Sequence, residues 1–429
     1  MPLPVAIIGG GISGLSAAHY LRLRGIEAVV IEASRSLGGL LCTEGISGCT
    51  VEAGADSWLA AKPWARDLAT ELGLGSEVIG SNDAQRRVSV LRRGKLVPYP
   101  QNMQLVVPKR LSTVWNSPLF SLSTKLRMSA DWLRFDKGAR ADRSVAAFVR
   151  SHFGQDAVDY LAEPLLSGIY GGDTEILSAA AVLPKFVERE RLQGSITRGV
   201  AREPVPPGAV FESMRGGLGQ LIAALQPEQL IQGQVETLER DGDAWSMRVN
   251  GEWLSCLRVI LACPSLQAAA ILQNAAPELS ASLGRVQSSS AHIVAMGFRN
   301  LEPLSGFGLL VPKAEGQNLM AATWVTNKFS GRAPAGLQLI RAFFRQPSAD
   351  PVKDLRSVIR INQEPEFVRE YRWPNSLPQY AVGHLELVQQ IETQLSHVPG
   401  IHLTGNAYHG VGIPDCIRMA KTVVAGIAG

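Results

Sequence analysis

The sequence predicts an α/β protein, α+β overall, in which a nucleotide-binding domain is split by a mixed-sheet insertion and a mostly helical one. Three observations carry that prediction. Residues 5–32 read strand, glycine turn, helix, strand and terminal acid. Residues 401–429 supply a further strand, loop and helix from the far end of the chain. Between them the hydrophobic pattern turns first helical and then β-type. At 429 residues the chain exceeds what one core supports, so roughly two or three domains are expected.

The opening unit is the most informative. Residues 4–9 and 28–32 read as parallel strands around a helix from about residue 12 to residue 24, which Gly25 ends. Gly9 permits the tight turn, Gly11 lets the backbone approach a pyrophosphate, and Gly14 lets the helix pack close to the strand. The helix N-terminus then offers free N–H groups and a positive dipole end to phosphate. Glu32 closes the second strand, where an acid accepts hydrogen bonds from ribose hydroxyls.

Residues 62–73 form a short helix, and residues 86–100 a hairpin turning at Arg93-Gly94-Lys95. Residues 102–202 read mostly as helices, with Trp115, Leu119, Phe120, Leu122, Leu126, Trp132, Leu133 and Phe135 interleaved with Lys109, Arg110, Lys125, Arg127 and Arg134. That mixture suits an amphipathic bundle, and it also suits a bilayer surface. Glu203-Pro204-Val205-Pro206-Pro207-Gly208 reads as a crossing between domains. Strands follow at residues 234–238, 245–249 and 259–264. The β-type runs at 292–298, 319–324 and 337–344 predict a second, mixed sheet. Residues 401–405 are a buried strand, 406–412 a loop, and Pro414 opens the last helix.

A hydrophobic content of 46% marks a folded chain. No apolar run reaches the ~18 residues of a membrane span. The glycine motif begins at residue 9, which leaves no length for a signal peptide and places the protein in a cytoplasm. Five scattered cysteines show neither disulfide nor metal spacing, so no metal is expected. The net charge is +4 but uneven. Residues 1–83 hold five Lys/Arg against nine Asp/Glu, and residues 84–140 hold twelve against two. The basic segment predicts an anionic partner. No nucleic-acid motif accompanies it, which leaves an acidic small molecule or an anionic membrane surface.

The two chain ends should meet, because cofactor sites in open α/β sheets lie at the carboxyl ends of the strands. Gly405 follows the last strand, and Gly410-Val411-Gly412-Ile413-Pro414 precedes the last helix. A second positive helix end suits a flavin, whose reduced ring is negative near N1 and C2=O. A nicotinamide needs no such second anion site, so the reading favours FAD over NAD.

These residues resemble the FAD-dependent protoporphyrinogen/coproporphyrinogen III oxidases of haem biosynthesis, in their soluble bacterial form, within the amine-oxidase-like flavoproteins. The fingerprint with Glu32 and Gly38-Gly39 belongs to that whole superfamily. Three stretches are more specific. They are Glu163-Pro164-Leu165-Leu166-Ser167-Gly168-Ile169-Tyr170-Gly171-Gly172-Asp173, the run from Trp324 through Phe329 to Arg332-Ala333-Pro334-Ala335-Gly336, and Gly410-Val411-Gly412-Ile413-Pro414-Asp415-Cys416-Ile417. Met214-Arg215-Gly216-Gly217-Leu218 and Trp373-Pro374-Asn375-Ser376-Leu377-Pro378-Gln379-Tyr380 agree in register.

The resemblance implies a Rossmann-like FAD-binding domain at residues 1–83, 213–265 and 397–429. It implies a substrate-binding domain at 84–104, 191–212 and 266–396, and a helical, membrane-binding-like domain at 105–190. FAD is expected to be non-covalent, with Cys416 no attachment point. Its implied contacts are Gly9, Gly11, Ile12, Ser13, Gly14, Glu32, Ala33, Gly38, Gly39, Gly54, Ala55, Asp56, Ser57, Val235, Gly405, Asn406, Gly412, Ile413 and Pro414.

The implied reaction is the six-electron, O2-dependent oxidation of a porphyrinogen with release of H2O2, beginning with hydride loss from a meso carbon. Protoporphyrinogen IX and coproporphyrinogen III both remain open as substrates. The backbone carbonyl of Gly172 is implied near the macrocycle centre, and Phe329 against a pyrrole ring. Many members pair a hairpin arginine with a propionate. That position falls on Val88 here, and a shift of one residue places Arg87 there. No histidine is assigned to catalysis. The implied partners are ferrochelatase and the inner face of a membrane. An amine or carotenoid oxidase would want an aromatic cage, for which aromatic content of 6% and the residues around Gly410 give no support. The intact Gly172 and 410–414 regions argue against a non-catalytic porphyrin carrier.

Overall fold

The computed structural model describes residues 3–138, 140–201 and 208–428. The crossing expected at Glu203 to Pro207 lies outside the described residues. The chain builds two seven-stranded sheets and a helical region.

Leu3–Ile8 lies inside the first sheet, parallel to Ala28–Glu32 on one side and to Glu252–Leu261 on the other. Its residues Val5, Ala6, Ile7 and Ile8 are apolar and buried on both faces, as an interior parallel strand requires. Gln229–Gln232 extends the sheet beyond Ala28–Glu32, also in parallel. Ile401–Leu403 pairs in parallel with Glu252–Leu261, so the far end of the chain completes the sheet. Ala244–Val249 and Val235–Asp241 add an antiparallel flank.

Strand alternation sorts the two faces. Val5 and Ile7 point to the side covered by the helices Ile12–Arg22 and Ile413–Ala428, which pack on each other through Leu15, Ile413 and Ile417. Ala6 and Ile8 face the other side, covered by Ser265–Leu272, Pro277–Gly284 and His384–Leu395. These three helices therefore share the core of the nucleotide sheet.

The second sheet runs in the order Phe367–Pro378, Ser288–Arg299, Leu337–Phe344, Leu319–Trp324, Gly308–Leu310, Val88–Arg92, Lys95–Pro98. It is mixed, as expected, because Gly308–Leu310 pairs in parallel with Val88–Arg92. The hairpin turns at Arg93 and Gly94 with φ of 51° and 72°, the left-handed pair of a type I′ turn.

The helical region packs Phe148, Phe153, Leu161, Leu166 and Phe186 into its own core. Inside it, His152 Nδ1 lies 2.5 Å from Asp131 and Nε2 lies 3.1 Å from Glu190, with Arg143 2.7 Å from Glu190. A π-helical turn at Val158–Ala162 leads straight into the helix Glu163–Tyr170. Such wide turns rotate the helix that follows, and they concentrate at functional sites. Of the apolar residues read as an amphipathic stripe, Leu119 and Phe120 enter the core, whereas Trp115, Leu122, Leu126, Leu133 and Phe135 are exposed. Among the described residues no helix is long and apolar enough to cross a membrane.

Candidate active site

Two of the fingerprint glycines are required by the fold, and a third leaves room for something else. A Cβ on Gly14 would come within 1.9 Å of the Gly9 carbonyl oxygen, and one on Gly9, at φ +111°, within 2.7 Å of the Ala262 carbonyl. A Cβ on Gly11 would meet nothing within 4 Å. Gly11 is the extended N-cap of Ile12–Arg22, whose first turn carries no acid and no side-chain cap, so the N–H groups of that turn are available to phosphate. Gly38 N–H donates to the Gly10 carbonyl over 2.8 Å, and Gly39 stands against Gly11, backing the crevice with a second pair of glycines.

Glu32 is held from two sides. Oε2 accepts from Gly10 N–H at 2.6 Å and Oε1 from Ser34 N–H at 2.7 Å, and each oxygen keeps a second lone pair for a hydroxyl. Ala33 follows on the surface. Gly233 N–H donates to the Glu32 carbonyl, which brings the start of the Val235–Asp241 strand to the same end of the sheet.

The C-terminal segment reaches this crevice as expected. Gly405 sits at φ +135° with open space where a side chain would be. Asn406 donates to the Ser376 carbonyl at 3.3 Å. Beyond Gly412, the helix from Ile413 carries Asp415 in its first turn. The Asp415 carboxylate packs against Gly410 and Gly412 and meets Lys62 at 2.5 Å. Burial pushes the Cys416 thiol up to about 11, opposed by a hydrogen bond with Ser13 of the first helix. The two helix N-termini are thus adjacent, and the thiol stays protonated at neutral pH and is a poor nucleophile. A glycine-lined crevice between two positive helix ends fits a dinucleotide with a second electron-rich end.

Residues 54–57 edge the same region. A Cβ on Gly54 would meet the Leu40 carbonyl at 2.2 Å. The Asp56 carboxylate, however, lies 3.0 Å from Lys328 and 3.3 Å from Arg341, and it accepts from Ser57 at 2.7 Å. Burial alone would push its pKa up, but the two cations hold it below the usual carboxylate range. The carboxylate is therefore committed to the substrate sheet, and what this stretch can offer a cofactor is backbone.

Phe329 lies among cationic side chains. It is 1% exposed, with Lys328 Nζ at 5.2 Å and Arg332 Cζ at 5.5 Å from its ring centroid. Its ring buttresses these cations. Arg87 is exposed, and among the described residues its guanidinium has no ion-pair partner. Its carbonyl accepts from Phe307 N–H at 2.7 Å, which fixes the backbone beside the substrate sheet.

Gly172 is buried in a turn held with unusual completeness. Gly171, at φ +60°, ends the helix Glu163–Tyr170 in the left-handed conformation. Three successive carbonyls then each receive a side-chain donor from a different segment. Gln379 Nε2 reaches Tyr170 at 3.2 Å, Ser289 Oγ reaches Gly171 at 2.7 Å, and Ser167 Oγ reaches Gly172 at 3.0 Å. The neighbouring Tyr380 ties this turn to the C-terminal loop. Its hydroxyl donates to the Asn406 carbonyl and accepts from Gly410 N–H, both at 2.8 Å. Burial pushes the Tyr380 phenol well up, so it stays protonated. The sequence reading named neither these residues' roles nor Lys62, Lys328 and Arg341. Ser167, Gln379 and Lys328 lie inside the quoted motifs, but Ser289 and Arg341 carry no local signal.

Comparison with known proteins accords with this geometry. The family described as flavin containing amine oxidoreductase matches residues 12–428. The coproporphyrinogen III oxidase of Bacillus subtilis (strain 168) is 32% identical, with 98% of this chain and 97% of that protein covered. The protoporphyrinogen oxidase of Homo sapiens is 25% identical, covering 99% of this chain and 98% of its own. A crystal structure from Exiguobacterium sp. 255-15, of a protein provisionally described as protoporphyrinogen oxidase, superposes with a TM-score of 0.89 at 28% identity, covering 100% of this chain and 99% of that one. A reduced UDP-galactopyranose mutase shares the fold alone, with a TM-score of 0.75 at 17% identity over 100% of this chain and 94% of that one.

Proposed function

The chain belongs to the flavin containing amine oxidoreductases, on their protoporphyrinogen/coproporphyrinogen oxidase branch, and on that premise we propose that it oxidises a porphyrinogen to the porphyrin in haem biosynthesis. The observation that supports this reading is the link through Tyr380. Residues 379–380 join the Tyr170–Gly172 turn to the loop at residues 405–412, so a substrate held at the turn adjoins a flavin held in the crevice.

Gly9, Gly11, Ile12, Ser13 and Gly14 hold the pyrophosphate of a non-covalent FAD, Glu32 and Ala33 its ribose, and Val235 its adenine end. Gly38, Gly39, the backbone of residues 54–57, Gly405, Asn406, Gly412, Ile413 and Pro414 surround the rest. Bound there, FAD supplies a two-electron acceptor, so a porphyrinogen and three O2 give the porphyrin and three H2O2. The positive end of the terminal helix favours negative charge beside it. Gly172 offers its carbonyl to pyrrole N–H groups and so sets which meso carbon is presented. Arg87 reaches a propionate from the hairpin.

Coproporphyrinogen III is the preferred substrate on this reading, since the basic segment at 84–140 suits the more anionic tetrapyrrole. The same segment, with Leu122, Leu126, Leu133 and Phe135 exposed near Arg110 and Arg127, supports peripheral attachment to the inner face of an anionic membrane from the cytoplasm. Ferrochelatase is a fitting recipient of the product. The deciding experiment measures initial rates on both porphyrinogens by porphyrin fluorescence, with O2 uptake and H2O2 recorded together. Faster oxidation of coproporphyrinogen III is expected. A flavoprotein that neither substrate bleaches under anaerobic conditions would overturn the reading.

A further inference from the structure

We infer that Gln379 is a substrate-binding residue whose side-chain carbonyl, beside Gly172, accepts a pyrrole N–H. This inference rests on the proposed reading of the Tyr170–Gly172 turn as the seat of the tetrapyrrole.

The amide's orientation is dictated by its surroundings. Nε2 lies 3.2 Å from the Tyr170 carbonyl, 3.2 Å from the Leu377 carbonyl and 2.9 Å from Ser289 Oγ. Ser289 already spends its proton on the Gly171 carbonyl at 2.7 Å, so toward Gln379 it is an acceptor. All three neighbours therefore demand a donor. Turning the amide over would set its oxygen against two carbonyls, so the NH2 is assigned to that side without ambiguity.

Oε1 is left on the opposite side, facing Gly172. A Cβ on Gly172 would lie 2.1 Å from it, and among the described residues no donor reaches it. Gln379 is 8% exposed, and an acceptor that no protein donor engages keeps its capacity for a donor from a ligand. The Gly172 carbonyl has one lone pair engaged by Ser167 and one to spare. Two acceptors of one turn, the Gly172 carbonyl and Gln379 Oε1, thus each keep capacity for a further donor.

The ligand chemistry follows. A porphyrinogen presents four pyrrole N–H donors, and the porphyrin keeps two, its other nitrogens having become acceptors. A pair of acceptors binds the reduced macrocycle better than the oxidised one, which selects substrate and loosens product.

The test uses the flavin-loaded full chain, measuring the porphyrinogen KM and the inhibition constant of the product porphyrin. Gln379→Met keeps the length and removes the acceptor. The expected result is a KM raised about tenfold while the porphyrin inhibition constant moves far less, with flavin content at its wild-type value. Ser289→Ala withdraws one of the groups that orient the amide, and a smaller rise in the same direction is expected. Equal movement of both constants, or none, overturns the inference. Should Gln379→Met fail to fold, Ser289→Ala decides alone, and an unchanged KM there is equally fatal. Wild-type protein that oxidises no porphyrinogen overturns the underlying reading. Wild-type turnover with unmoved variants overturns the inference only.

Discussion

Lys62 Nζ lies 2.5 Å from Asp415 Oδ2, joining the segment after the Trp58–Leu59 strand to the first turn of the terminal helix. The pair is lopsided, with the lysine side chain 39% exposed and the aspartate 7%. Lys62→Met leaves a buried carboxylate without its counter-ion, whereas Asp415→Asn leaves a lysine that water can solvate. Removing one partner of a buried pair costs ~3–5 kcal/mol, and exposure of the lysine reduces that to about 2 kcal/mol for Lys62→Met. Asp415→Asn should cost less. Urea denaturation of the two variants checks the order, and a larger loss for Asp415→Asn would contradict it.

The fingerprint glycines separate folding from binding. A side chain at Gly11 meets no protein atom within 4 Å, so Gly11→Val should fold with near-wild-type stability and fail to retain FAD. A side chain at Gly14 meets the Gly9 carbonyl at 1.9 Å, backbone that cannot give way. Gly14→Ala should therefore lose about 3 kcal/mol of stability even as the apoprotein. Apoprotein denaturation and absorbance at the flavin band distinguish the two. A yellow Gly11→Val protein would refute the crevice.

What was legible in the sequence is what short-range pattern encodes. The strand–turn–helix of residues 3–22, Glu32 and the return of the chain end to the same sheet all emerged as read, because glycine spacing and apolar runs are local signals. The strand Phe367–Pro378 was not foreseen. Its Arg369, Glu370 and Arg372 face solvent on a sheet edge, it contains Pro374, and its register shifts against Ser288–Arg299, so alternation is blurred. The helices Ser265–Leu272 and Pro277–Gly284 went unread, and nothing in their sequence says which sheet they cover. Asp56 stands in a glycine-rich stretch that draws notice, but its partners lie far away in sequence. Lys328 meets Asp56 across 272 positions, and Gln379 meets Tyr170 across 209. No local pattern announces such meetings.

The buried cluster in the helical region predicts acid sensitivity. Burial pushes the Glu190 carboxyl up, but His152 and Arg143 outweigh it and bring its pKa from the usual 4.5 to about 2. A depressed folded pKa means stability that is fully present above the unfolded value and is lost as the pH falls toward the folded one. Glu190 should therefore contribute on the order of 3 kcal/mol near neutrality, declining between about pH 4.5 and 2. Glu190→Gln removes that decline, so the gap between wild type and variant should narrow on acidification. Urea midpoints from pH 6 downward measure it, and parallel curves would sink the assignment.

Gly172→Ala tests the substrate turn most directly. Its φ lies outside the left-handed region, so alanine brings no backbone strain, and the whole effect is contact. The new methyl would stand 2.1 Å from Gln379 Oε1 and 3.1 Å from Leu177 Cδ1. The leucine tip can move. The glutamine amide cannot move freely, because three acceptors hold its nitrogen. Alanine should thus displace the amide and crowd the carbonyl beside it, lowering kcat/KM by about tenfold or more with flavin retained. Gly171→Ala contrasts with it. At φ +60° it adds strain to a clash with Leu377, so it should lose stability first. If Gly172 and Gln379 act through one contact, shortening the glutamine relieves the methyl, and the losses in Gly172→Ala and Gln379→Ser cannot add in the double variant. Additive losses across that cycle would mean that the two residues serve the substrate independently.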